Sequence, residues 1–255
     1  MITFFRKIRQ QLMTENKTSK YMLYAFGEIT LVVIGILIAL QINNMNDSRK
    51  DRNKEVDYLK NVITDLNINI TELGSYIDER TACINAAGRI LEFYEGKPLT
   101  DLNAFNEDAI RIYSWEKFYQ NNNTFQELVN SGNLALVSND TIKNELLNLE
   151  TLYNKLKGRE EHYRFDSENL VYMPVYETMD LNPQIAKHTF VLTNGEAGAD
   201  VPLSQKAFNS FLKNLKAKNG FVMTTVEFTL MNGQMGEIRT RSEALISMVN
   251  REIKR

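Results

Sequence analysis

The chain is poor in helix-interrupting residues and in residues that bind metals. Four prolines and 12 glycines in 255 residues leave most of its length open to long helices. Two histidines are too few for a multi-histidine metal site. A single cysteine, Cys83, excludes an internal disulfide and lies too far along the chain for lipid attachment behind a signal sequence. It reads as a small buried apolar residue rather than a reactive thiol, although an intermolecular disulfide stays open in an oxidising compartment. Charge of one sign is missing too. Thirty Lys and Arg stand against 32 Asp and Glu, a net charge of -2, a balance that argues against a nucleic-acid binder, which would show a basic face. Gly96-Lys97-Pro98 lacks the preceding glycine and the helix start of a phosphate loop, and no serine or cysteine lies in a recognisable nucleophile elbow.

Hydrophobic residues make up 43% of the chain, enough for one sizeable core or two small ones. Their first concentration is residues 22–42, about 30 Å of helix and so the depth of a bilayer's hydrocarbon. The segment carries 12 Leu, Ile, Val and Phe residues, together about -4 to -7 kcal/mol of insertion energy, against about +3 for a central charge. Glu28, near one end, costs less than that. The polar lead is long for a signal peptide, and Ala39-Leu40-Gln41 is a poor cleavage site, so an uncleaved signal anchor is expected. Arg6, Lys7, Arg9, Lys17 and Lys20 before it balance Arg49, Lys50, Arg52, Lys54 and Lys60 after it. Lys17 and Lys20 lie nearer the segment, which favours an N-terminus inside and a C-terminal domain outside.

Two further readings concern the bilayer. Phe4, Phe5, Ile8 and Leu12 share a helical face, with Arg6, Lys7 and Arg9 around it, as in a short interfacial helix on an anionic leaflet; a disordered basic tail is the alternative. Within the apolar segment, Glu28, Leu31, Val32, Gly35 and Ala39 share a face, and Gly35-x-x-x-Ala39 is a small-residue packing motif. An ionisable residue there is a functional hypothesis: this face meets another transmembrane helix, with Glu28 paired to a basic or hydroxyl group. The alternative places Glu28 at the inner interface with no specific role.

The order Asn16 to Tyr21, Gly27 with Glu28, and Ile38 to Asn44 resembles the opening of an uncharacterised family of single-pass membrane proteins from Bacteroidota, a domain of unknown function. Met45 stands where that family often has tryptophan, and residues 128–139 resemble its middle segment more loosely. The resemblance implies an inner-membrane protein with a periplasmic domain and implies no activity. The expected organisation is a cytoplasmic basic segment (1–20), a transmembrane helix (21–43) and a periplasmic helical-bundle domain (44–255).

From Val56 the apolar residues keep a 3-4 spacing. Val56, Ile63, Ile70, Ile77, Ile84 and Leu91 form one row; Leu59, Leu66, Leu73, Ala87 and Tyr94 form the other, interrupted by Arg80 alone. Val62, Tyr76, Cys83 and Ile90 widen the stripe, which suits a helix inside a bundle better than a two-chain seam. This helix should end near Gly96. A short helix over 102–113 capped by Thr100 or Asp101 should come next, then one from Asn123 or Thr124 to Gly132. Ser138 or Asn139 should cap a long helix that Pro174 ends or kinks. Residues 180–203 read as irregular, with a short strand from His188 to Thr193. Ser204 should start a helix stopping near Gly220, and a last helix should run from Phe221 towards Ile253. The fold class is all-α: an N-terminal transmembrane helix followed by a bundle of long helices with a few short ones.

Chemistry is sparse. His162 and Asp166 lie four apart beyond Arg159-Glu160-Glu161, but a di-iron bundle needs Glu-x-x-His twice, so the tract reads as a solvated charged face. Tyr113, Trp115, Phe118 and Tyr119 could stack a flat ligand or pack a helix end. Glu196 and Asp200 lack the spacing of a calcium loop. No catalytic, metal or cofactor site is assigned. The leading reading is a non-enzymatic, membrane-anchored interaction or scaffold module. A periplasmic ligand-sensing domain is second, favoured by a cavity near Trp115 or under 180–203, and an enzyme of the cell envelope is third.

Overall fold

The computed structural model describes residues 18–254; the basic residues Arg6, Lys7 and Arg9 lie outside them. All regular structure among the described residues is helical. Helix α1 (Thr18–Tyr94) runs unbroken for 77 residues and contributes to two compact units, Met1–Asp57 and Tyr58–Arg255.

In the first unit, α1 is long and apolar enough to cross a membrane, and none of its most apolar 18-residue window is buried. Leu23, Phe26, Ile29, Leu31, Leu37 and Ile42 all lie open. A helix this apolar and this exposed has the length and composition of a membrane span or a signal anchor.

The second unit is a bundle of three long helices. Here α1 buries Leu59, Leu66, Leu73 and Ala87 together with Val62, Cys83 and Ile90, while Ile63, Ile77, Ile84 and Leu91 flank the core half-buried. The three-position stripe is therefore filled by the chain's own helices. α1 ends where the Lys97 and Gly96 N–H groups donate to the Glu92 and Phe93 carbonyls; Gly96 takes φ +103, a conformation that favours glycine.

Helix α2 (Leu102–Tyr113) is capped by Asp101, whose carboxylate accepts from the Ala104 N–H at 3.0 Å. After a connector comes α3 (Asn123–Asn130), a turn at Gly132 and a 3-10 turn, Asn133–Leu136. Asn139 caps the long α4 (Asp140–Ser167), accepting from the Thr141 and Ile142 N–H groups. α4 passes through a π-helical turn, Glu168–Tyr172, into α5 (Met173–Thr178). Pro174 has no N–H to give the Leu170 carbonyl, so the helix widens there instead of stopping.

Two expectations are overturned downstream. Residues 188–193 are not a strand: α6 (Leu181–Leu192) is a helix, capped by Asp180, whose carboxylate accepts from the Asn182 N–H. Pro183 sits in its first turn, where a missing N–H costs nothing. Beyond α6, irregular structure covers residues 193–204. Gly220 does not end a helix either. α7 (Gln205–Phe211), capped by Ser204, stops before Asn214, and Asn214 caps α8 (Leu215–Ile253). Gly220 lies inside α8 because a Cβ there would stand 2.6 Å from the Leu170 carbonyl oxygen. Helix α8 can approach the π-turn closely only without that atom.

Contacts along the bundle fix the directions. Asn139 pairs with Glu252 and the Tyr163 hydroxyl with Thr224, so α4 and α8 are antiparallel. Asn232 reaches the Ile77 carbonyl and Tyr94 meets Phe221, so α1 and α8 are antiparallel too. Rings of Phe93, Phe105, Phe208, Phe211 and Phe221 close one end of the core.

Candidate functional site: the connector at Trp115

The connector between α2 and α3, residues 114–122, has no regular structure, yet its backbone polar groups are not left to water. Side chains from one face of α1 take them up. The Arg80 guanidinium donates to the Glu116 carbonyl at 3.5 Å and the Tyr76 hydroxyl to the Lys117 carbonyl at 2.8 Å. Asn69 makes both bonds to Asn121, accepting from its N–H and donating to its carbonyl, each at 2.8 Å. The Asp65 carboxylate then accepts the Thr124 N–H, in the first turn of α3, at 2.9 Å. From α4, Glu160 accepts the Phe118 N–H at 3.0 Å. Buried backbone groups demand such partners, and α1 supplies them at helical spacing, from Asp65 through Asn69 and Tyr76 to Arg80.

Arg80, the one interruption of the apolar row, is thus a core residue. It is 3% exposed and ion-paired with Glu160, itself 1% exposed. Its guanidinium also lies 5.8 Å from the Tyr76 ring centre and 5.6 Å from that of Phe228, within reach of cation–π attraction. Glu160 corrects the reading of its tract as a solvated face. That tract splits: Glu160 points into the core, Arg159 pairs with the buried Glu227 at 2.9 Å, and Glu161 and His162 face out. His162 lies 3.6 Å from Asp166. No cluster of three metal-ligating side chains occurs among the described residues.

Several clefts border the connector; a wide one of about 510 Å³ is lined by Trp115, Glu116, Lys117, Arg164 and Tyr172, and two smaller ones lie beside it. One, about 290 Å³, is lined by Tyr76, Arg80, Trp115, Glu116 and Phe228. The other, about 300 Å³, is lined by Phe118, Tyr119, Tyr153, Lys157 and Glu160. Both are at the small end of ligand sites, roughly 300–1,000 Å³. Trp115 packs edge-on to Tyr163, with ring centres 4.8 Å apart, and against Phe228 at 6.1 Å. Phe118 stacks on Tyr153 at 6.0 Å, and Tyr113 meets Tyr172 at 6.3 Å. Tyr119 alone is left 77% exposed. Three of the four aromatic residues therefore pack, and two of these, Trp115 and Phe118, also wall clefts.

The electrostatics of the Trp115 cleft are set by its carboxylates. Glu79 is engaged by Arg111 at 2.8 Å. Burial pushes the Tyr76 phenol above its ordinary range, and the Glu116 carboxylate raises it further. Burial also pushes the Cys83 thiol, which lines the cleft floor, up to about 12. Elsewhere, His188 Nδ1 lies 2.7 Å from a Glu107 carboxylate oxygen, and Asp200 pairs with Lys187.

The predicted membrane face is open on α1. Leu31 and Val32 are 65% and 57% exposed, Ala39 is exposed, Glu28 is half-buried, and a Cβ at Gly35 would meet nothing within 4 Å. The sequence did not point to Asn69, Glu116 or Glu160 as site residues; its signals here were the aromatic cluster around Trp115 and Arg80, a charge inside an apolar row. No protein-family profile matches the chain, and neither does any curated protein or solved structure.

Proposed function

We propose that the chain is a membrane-anchored, non-enzymatic interaction module. Residues 21–43 cross the inner membrane, the N-terminus is cytoplasmic, and the helical bundle stands in the periplasm. The face of Glu28, Leu31, Val32, Gly35 and Ala39 packs against another transmembrane helix, of a second copy or of a partner protein. One observation carries the reading: the apolar part of α1 is wholly unburied and, in water, would be an aggregation liability. A membrane self-association assay comparing wild type with Gly35→Leu and Glu28→Gln tests the packing face. Reduced association of both variants supports it; unchanged association overturns it. Accessibility of a cysteine introduced at an exposed bundle position, probed from each side of the membrane, tests the orientation.

A second reading, ligand sensing by the periplasmic bundle, is favoured by the cleft at Trp115. Output would pass through a membrane partner.

A further inference from the structure

The cleft at Trp115 has a composition that selects among ligands, and its selectivity bears on the ligand-sensing reading, on which the inference rests. Its walls are three rings: Tyr76 from α1, Trp115 from the connector and Phe228 from α8. Two of them already hold a planar cation, because the Arg80 guanidinium lies over both Tyr76 and Phe228. That guanidinium adds no net positive charge to the cleft, since Glu160 neutralises it within the core. Of the two carboxylates at the rim, Glu79 is taken by Arg111. Glu116 engages no donor or cation among the described residues. The cleft therefore combines aromatic walls with one uncompensated negative charge.

We infer that the Trp115 cleft binds a small planar organic cation, an aryl amidine or guanidine, with its ring against Trp115 and Tyr76 and its charge at Glu116. Aromatic faces attract cations through their quadrupole, and the exposed rim carboxylate adds Coulombic attraction. An anion of the same shape meets Glu116 with no unpaired positive group to receive it. The size agrees: about 290 Å³ admits a single ring with a short polar arm.

The chain has one tryptophan, so its emission reports the surroundings of Trp115, which borders this cleft and a second one toward Arg164 and Tyr172; a variant of the first cleft's wall separates the two. The full chain in maltoside micelles is titrated with benzamidine, benzamide and benzoate, one ring shape carrying positive, zero and negative charge, with excitation at the red edge of tryptophan absorption. The expected result is a saturable change with benzamidine, at least tenfold weaker binding of benzamide, and none of benzoate. Glu116→Gln should weaken benzamidine about tenfold and leave benzamide unchanged. Ser75→Phe, at an exposed position on the cleft wall, should block both while the circular-dichroism melt stays in place. Equal binding of benzamidine and benzamide, or a preference for benzoate, overturns the ligand class while leaving the cleft a ligand site. No saturable change with any of the three overturns both the class and the ligand-sensing reading.

Discussion

Arg80 and Glu160, 80 positions apart in the chain, form an ion pair that is almost wholly buried between α1 and α4. Both partners also hold the connector, Arg80 through the Glu116 carbonyl and Glu160 through the Phe118 N–H. A pair so placed differs from the many surface pairs of this chain. Its charges have lost water, and their mutual attraction with their hydrogen bonds must offset that loss.

Removing one partner strands the other. Arg80→Met alone or Glu160→Leu alone should each cost about 3–5 kcal/mol, whereas the double variant should recover a large part of the sum. Chemical denaturation of the four proteins, followed by circular dichroism, measures the coupling; additive losses would contradict it.

Asn69 holds the connector by reading backbone, so the two ends of its contact should respond differently. Asn69→Leu leaves an amide and a carbonyl of Asn121 without partners, at about 1–3 kcal/mol for each buried group. Asn121→Ala keeps both bonds and should stay within about 0.5 kcal/mol of wild type. Hydrogen exchange at residue 121 should accelerate in the first variant and not in the second.

Two glycines of α8 make an opposed pair. A methyl group at Gly220 would press on the Leu170 carbonyl at 2.6 Å, and at Gly233 it would meet nothing within 4 Å. Gly220→Ala should destabilise by about 1–3 kcal/mol. Gly233→Ala, in the open on its helix, should stabilise by about 0.5–1 kcal/mol. Thermal melts of the two variants should shift in opposite directions.

Burial, and then the nearby Glu79 carboxylate, raise the Cys83 thiol from its ordinary 9.0 to about 12. The fold thus favours the neutral thiol. The stability it contributes is whole below pH 9 and is lost as pH rises through about 12. At about pH 8, below the ordinary thiol range, the native protein should react with a maleimide far more slowly than the protein unfolded in guanidinium. Cys83→Ala should flatten part of the alkaline loss of stability.

Local signals were legible in the sequence. Asp101, Asn139 and Ser204 announce their helices because a cap is a contact between a side chain and its own neighbouring backbone. The width of the α1 stripe announced a bundle for the same reason, since 3-4 spacing is a property of one helix. The illegible features depend on distant partners. Gly220 resembles a stop until the Leu170 carbonyl is brought beside it, and Asn182-Pro183 resembles a turn until the helix around it makes proline a first-turn residue. The cleft was legible in part: the aromatic cluster around Trp115 and Arg80, a charge in an apolar row, marked the place, but Tyr76 and Phe228 join it from two other elements that only the fold brings there.

The connector is fastened by its peptide groups and by two side chains, Trp115 and Phe118, that pack inward. Glu116 and Lys117 offer carbonyls to α1, and Phe118 offers its amide to α4. The scaffold is therefore indifferent to the outward side chains at 116 and 119. Those positions can be rewritten without dismantling the frame that carries them, so specificity and foldedness are set by separate parts of the same short segment. A surface so divided can be retuned to new ligands by substitution alone, as the loops of an antibody are on their sandwich.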